Sequence, residues 1–397
     1  PMTPRKDNDQ RVFVLAGGAA WESAVLAHID ASPRLSLVRR CIDVADLLAS
    51  SKTDHAHAVI LDPSLPGFDA GVADRLENEG LALVSVGAAA PSLGVMASID
   101  LGELHTLGDL LATLAETTAP TSTTVPDSES LSNETSGHVT AVWGPVGAPG
   151  RSTLALSLAA SHAKSGAPTL LVDADVRGAA IAQMLAVLDD VSGVLASCRD
   201  VNLGRSRDMS EHALRVKPSL DVLTGIPRPD VWHHVRPAAL VRVLDQARAR
   251  YEHVVVDCGW DIESDDPISA ARGDIAQAVI EYADLTLGVG KPDPISITRL
   301  LRSVGELSLI ASRLELVLNQ MRPSTPWSEG QISDMIFEVS GQRPMAFIPF
   351  DAEACDRALL AGEPAISEAR GSAFEPALER LADMIRSTLD PVARSHT

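Results

Sequence analysis

The stretch "GPVGAPGRST", residues 144–153, combines turn glycines at Gly147 and Gly150 with a cation, Arg151, and two hydroxyls, Ser152 and Thr153. An apolar run, "HVTAVWG" (138–144), precedes it, and a helical pattern, "STLALSLAASHAKSG" (152–166), follows. Strand, glycine-rich turn and helix start is the arrangement that aims backbone N–H groups and a helix N-terminus at a phosphate. Arg151 stands where such a loop carries a lysine. It keeps the charge, but its planar fork is wider than an ammonium. Pro149 removes one backbone donor from the turn, and Ala148 narrows the conformations a glycine there would allow.

Carboxylates end two other apolar runs. "PTLLVDADVRG" (168–178) reads as a buried strand finishing in Asp173 and Asp175. "YEHVVVDCGWD" (251–261) runs into Asp257, the pattern of an acid that holds Mg²⁺ beside a bound triphosphate. A third run, "RLELVLNQMR" (313–322), ends in Asn319. A plainer reading stays open for each: strand-end polar residues also cap turns, and Arg151 can cap one too. Cys258 reads as a small buried thiol. The adjacent histidines of "WHHV" (232–235) face opposite ways on any regular element, so they form no metal site.

The elements that must position these groups alternate strand with helix, which implies α/β architecture with doubly wound parallel sheets. The Ser/Thr/Pro-rich stretch 116–137 cannot bury itself and reads as a flexible linker. It separates a first domain, 1–115, from a second, 138–397. The first has candidate strands at 11–17, 35–40, 57–62, 81–87 and 93–100, with helical patterns at 19–31, 43–51, 68–79 and 106–116. Five strands and about five helices in that length resemble the receiver domain of two-component signalling, a flavodoxin-like fold. Asp62 and Pro66 match the receiver's acceptor Asp and following Pro. "LAGGAAW", however, lacks the receiver's acidic pair, the switch hydroxyl is at best Ser85, and no lysine ends the fifth strand. The resemblance therefore implies a pseudo-receiver that serves interaction or localisation.

Composition narrows the partners. Among 397 residues, 45% are hydrophobic and 22% charged, with a formal charge of −20. So acidic a chain lacks the clustered cations that a broad nucleic-acid surface needs, and no direct nucleic-acid partner is expected. Four scattered cysteines read as free thiols of a reducing cytoplasm. No secretory leader pattern or spanning apolar run is present. The last helical pattern has an apolar stripe at Phe374, Leu378, Leu381, Ile385 and Leu389 but an acidic polar face. It reads as a core helix, with membrane contact left to partners.

The motifs between 138 and 390, in this order and spacing, resemble the MinD/ParA family of deviant Walker A ATPases. With the pseudo-receiver and linker, the chain looks like the CpaE/TadZ group, which localises Tad (Flp) pilus assembly. "GAPGRST" followed by "IPFD" and "LLAGEP" is also similar to chains of high-GC bacteria labelled septum-site determining proteins. The family loop runs Gly-Lys-Gly-Gly-X-Gly-Lys-Thr-Thr, and Pro145 to Thr153 occupy it here. The resemblance implies ATP or ADP with Mg²⁺, cradled by Gly147, Gly150, Arg151, Ser152 and Thr153, with Ser152 and Asp257 on the metal. It implies that Asp175 positions the attacking water with Asp173 in its shell, and that Asn319 pairs with adenine. Val146 replaces the lysine that reaches a partner subunit's nucleotide, so any homodimer would not depend on nucleotide. The switch that usually reads Asp-X-Pro-X-Gly becomes Asp257-Cys258-Gly259-Trp260-Asp261. At most a weak ATPase is expected, acting with protein partners of pilus, secretion or division machinery. Its expected place is the cytoplasm, with recruitment to the inner face of the membrane, a pole or the septum. A slow ATPase and a scaffold that never binds nucleotide stay open beside it.

Overall fold

The strands around the glycine-rich turn are unbroken apolar runs, the signature of strands covered on both faces. All six residues of Thr169–Ala174 and all six of His253–Cys258, the strands that carry Asp173 and Asp257, are buried. A computed structural model describes residues 10–118, 137–147, 149–187, 191–203, 205, 208–262 and 272–389. Ala148, most of the expected linker (119–136) and the chain beyond 389 lie outside these. The chain divides into two compact units: residues 1–132 with 200–206, and residues 133–199 with 207–397.

In the first unit the order is β1 (Gln10–Leu15), α1 (Glu22–Ala31), β2 (Leu35–Cys41), α2 (Val44–Thr53), β3 (Ala58–Leu61), α3 (Ala70–Asn78), β4 (Ala82–Val86), β5 (Ala97–Ile99) and α4 (Leu107–Thr118). The strands pair in the order β2-β1-β3-β4-β5, all parallel. That is the flavodoxin-like order. Alternation along β1 divides the core: Phe13 and Leu15 pack with Leu47 and Leu76, while Val12 and Val14 pack with Val25 and Leu107. Helix α4 continues to Thr118, three residues into the stretch read as linker.

The second unit runs β6 (His138–Trp143), α5 (Arg151–Lys164), β7 (Thr169–Ala174), α6 (Ile181–Met184), α7 (Gly193–Asn202), β8 (Leu214–Lys217), β9 (Leu220–Leu223), α8 (Pro237–Arg248), β10 (His253–Cys258), α9 (Gly273–Tyr282), β11 (Leu285–Gly290), α10 (Pro294–Ile310), β12 (Leu314–Met321), α11 (Glu329–Ser340), β13 (Ala346–Pro349), α12 (Ala352–Ala361), α13 (Ala365–Glu368) and α14 (Phe374–Leu389). Its eight strands lie in the order β13-β12-β11-β6-β10-β7-β9-β8. The sheet is not wholly parallel, a correction to the sequence-based expectation. β8 returns antiparallel against β9 across a two-residue turn, too short for a crossover. Ser219 in that turn takes a positive φ of 60°.

β6 sits where the strand order reverses, with β11 on one side and β10 on the other. Crevices at the carboxyl ends of strands beside such a point are where open α/β sheets bind ligands. Helix α14 buries Phe374, Leu378, Leu381 and Ile385 in the core, as expected of a core helix. Among the described residues, no helix is long and apolar enough to cross a membrane.

Candidate nucleotide site

The turn after β6 is shaped by glycine. Gly150 adopts φ 83° as the N-cap of α5, a left-handed conformation that L side chains resist. A Cβ there would also lie 2.6 Å from Asn319 Nδ2. Helix α5 then presents the first-turn N–H groups of Arg151, Ser152 and Thr153, which have no intrahelical partner. With the helix dipole they form an anion-binding end.

Arg151 does not project freely from this end. Its Nη1 donates to Gly144 O at 2.6 Å, and its Nη2 lies 3.2 Å from Asp175 Oδ2. Only 13% and 6% of the two side chains remain exposed. Asp175 Oδ1 accepts from Arg177 N at 2.9 Å and Gly178 N at 3.0 Å, so both its oxygens are engaged. Asp173 is tied down more completely. Its Oδ2 accepts from Ala180 N and Ile181 N at 3.0 Å each, and its Oδ1 from Asp175 N at 3.3 Å. Burial, reinforced by the charge of Asp175, still raises its pKa above the usual carboxylate range.

Asp257 is the contrast. It pairs across the sheet with Asp173 on one side and Val142 on the other, and it is fully buried. Neither carboxylate oxygen has a hydrogen-bond partner. Ser152 lies close enough to favour the charged form, but not in the geometry of a formed hydrogen bond. Burial and then the neighbouring Asp173 push the Asp257 pKa well above its ordinary value. A buried carboxylate left unpaired is costly, and a divalent cation supplies the missing charge. Mg²⁺ usually takes one or two protein ligands and completes its shell with phosphate oxygens and water. Ser152 and Asp257 fit that demand. No described cluster of three or more His, Cys, Asp or Glu would hold a metal by itself.

Asn319 is buried near the end of β12, and its Nδ2 donates to Pro149 O at 2.9 Å. The structure thus brings Gly147, Gly150, Arg151, Ser152, Thr153, Asp173, Asp175, Asp257 and Asn319 to one end of the sheet. It places Asn319 as a brace on the loop backbone. Sequence reasoning missed a second brace: Arg299 on α10 donates to Val146 O at 2.9 Å across 153 residues. It also missed Arg177, which pairs with Asp261 and stacks 4.9 Å from the centroid of the Trp260 ring. Neither arginine carries a local signal, since each occupies an ordinary polar position.

In the first unit, Asp62 Oδ1 accepts from Ser64 N and Oγ at 2.9 and 2.6 Å. The Ser85 hydroxyl is spent on Ala88 O and Ala97 O. A Cβ at Gly17, where β1 gives way to its loop, would collide with Leu65 Cδ2 at 2.3 Å, so the loop is closely covered.

No protein-family model and no curated protein sequence matches the chain. Solved structures do match. The septum site-determining protein MinD of Pyrococcus horikoshii, complexed with Mg-ADP, is 20% identical, covering 65% of this chain and 99% of that one with a TM-score of 0.51. A ParA family ATPase of Chlorobium tepidum is 22% identical, covering 62% and 98% with a TM-score of 0.52. The Aquifex aeolicus MinC:MinD cell division complex gives 19% identity, 63% and 96% coverage and a TM-score of 0.52. Only the larger unit is long enough to supply those shares. With its parallel sheet core and glycine-rich turn at the switch point, the second unit has the fold of the MinD/ParA P-loop ATPases.

Proposed function

We propose that this chain is a MinD/ParA-like positioning protein whose second unit binds ADP or ATP with Mg²⁺ and hydrolyses it weakly or not at all. The observation that carries this reading is the pairing of a vacant demand with a blocked one. Asp257 is buried without a partner beside Ser152, while Asp175 is locked to Arg151. The first favours holding a metal-bound phosphate; the second removes the oxygen that would orient water. In this reading Gly147, Gly150 and the N–H groups of Arg151 to Thr153 cradle phosphate, and Ser152 and Asp257 hold the metal. Bound Mg²⁺ would neutralise phosphate charge. Asp173 holds the turn that carries Asp175.

The domain arrangement we propose is a receiver-like module (1–115), a linker (116–137) and the nucleotide-binding domain (138–397). The flavodoxin-like strand order and Asp62 at the end of β3 support the first assignment. Failure of a small phosphodonor to label Asp62 is expected of a module that only binds partners. The cellular task we favour is localising Tad (Flp) pilus or secretion machinery at the envelope, with septum-site determination as the alternative. Membrane contact would come through protein partners; one structural neighbour was solved as a MinC:MinD complex, which supports a role for protein partners.

Calorimetric titration with ADP and ATP, with and without Mg²⁺, tests the nucleotide reading. The expected result is saturable, Mg²⁺-dependent binding that Arg151→Ala weakens. At a hundredfold excess over Kd, ligand should add about 2.7 kcal/mol to stability. Absence of heat and of any stability change at millimolar nucleotide would leave a nucleotide-free scaffold.

A further inference from the structure

Two cations stand at the candidate loop, and they are placed differently. Arg151 is turned inward onto Gly144 O and Asp175, so a carboxylate balances its charge before any phosphate arrives. Arg299, on helix α10, reaches the loop from outside. Its Nη1 donates to Val146 O at 2.9 Å and would lie 3.0 Å from a Cβ on Gly147. The side chain is exposed, and among the described residues no carboxylate pairs with it. Val146 itself brings no charge to the loop, but its carbonyl holds this cation at the edge.

Packing fixes the position of Arg299. The next residue, Leu300, is fully buried against β11, where a Cβ on Gly290 would come within 2.9 Å of Leu300 Cδ2. The bare glycine lets α10 settle close to the sheet. Asp293 caps the start of the helix by accepting from Ile295 N and Ser296 N. The reach of Arg299 is also selective. A Cβ on Gly150, at the α5 end of the loop, would meet Asn319 and Gln320 and not Arg299.

We propose that Arg299 is a phosphate-contacting residue that meets the outermost phosphate of a bound nucleoside triphosphate. The inference rests on the nucleotide reading above. In that reading the N–H groups of α5, with Ser152 and Asp257 through the metal, hold the phosphates nearest the helix. Arg299 stands over the other end of the loop, at Val146 and Gly147. A guanidinium has five N–H donors, so one can stay on Val146 O while others meet phosphate. Such contacts are charge-assisted and stronger than neutral hydrogen bonds. The uncommitted charge of Arg299 therefore favours a triphosphate over a diphosphate, which the committed charge of Arg151 does not.

Calorimetric titration of the full chain with Mg-ADP and with a non-hydrolysable Mg-ATP analogue, at constant ionic strength, tests this. The wild type should bind the analogue more tightly than ADP. Arg299→Ala should weaken the analogue by about tenfold or more and ADP by less than about threefold. Arg299→Lys keeps a charge and should recover part of the loss. Arg299→Gln keeps a donor for Val146 O without the charge and should not. Equal weakening of both ligands by Arg299→Ala, reversed by Arg299→Gln, would mean that the arginine only braces the loop, and would overturn the proposal. So would an unchanged affinity for the analogue in Arg299→Ala. Either result leaves the nucleotide reading intact, whereas a wild type that binds neither ligand overturns that reading and this inference together. Should Arg299→Ala fail to fold, the contrast between Arg299→Lys and Arg299→Gln decides.

Discussion

Arg151 and Asp175 hold each other inside the site, and the Asp175 carboxylate also collects two backbone N–H groups. Removing the carboxylate strands a largely buried guanidinium. Asp175→Ala should therefore cost about 3–5 kcal/mol, measured by urea unfolding of the second unit. Asp257 should behave in the opposite way, because its two oxygens are buried without partners. Asp257→Asn keeps the shape and removes the charge that the site leaves unbalanced. We expect it to raise stability by on the order of 1 kcal/mol while abolishing Mg²⁺-dependent nucleotide binding. Loss of stability together with unchanged binding would contradict the assignment of Asp257 to the metal.

Helix α5 joins the loop to the rest of the core. At its far end Lys164 bridges Glu375 and Glu379 on α14, at 2.9 and 2.7 Å. These are solvent-facing pairs that add little by themselves. Two residues earlier in the same turn, His162 stacks on His253 of β10, with ring centroids 3.9 Å apart, and Arg386 of α14 lies 3.4 Å from His162 Nδ1. The facing acids are engaged from outside: Asp383 pairs with Arg386, and Glu252 lies 3.6 Å from His253 Nε2. Burial first, then His253 and Arg386, hold the His162 pKa well below its usual value. The folded protein thus keeps His162 neutral, whereas the unfolded chain takes up a proton near pH 6.5. Stability is full above that pH and falls as pH drops through about 6.5. The urea midpoint should be lower at about pH 5.5 than at about pH 7.5, and His162→Gln should flatten the difference.

Two units with separate cores make up the molecule. Leu15, Leu47 and Leu76 belong to the first, and Leu156, Leu287 and Leu381 to the second. Domains with their own cores generally fold alone. A fragment of residues 138–397 should then unfold in one cooperative transition and retain whatever nucleotide binding the full chain shows. A fragment lacking a cooperative transition would mean that the second unit needs the first.

Local chemistry was legible in the residues themselves. Apolar runs of strand length, Gly150 before a helical pattern and acids at strand ends need only neighbours in sequence, so the turn, α5 and the strands around them could be read directly. The small β8–β9 hairpin, without strong alternation, gave no comparable signal. Which side chain meets which was decided only in three dimensions. Arg151 finds Asp175 24 residues away, Asn319 braces Pro149 across 170 residues, and Trp143 is left without an acceptor. The reason is the strand order β11-β6-β10-β7, which sets the ends of distant segments side by side. Periodicity and turn preference act within a few residues, whereas pairing between strand ends depends on the order in which the whole sheet assembles.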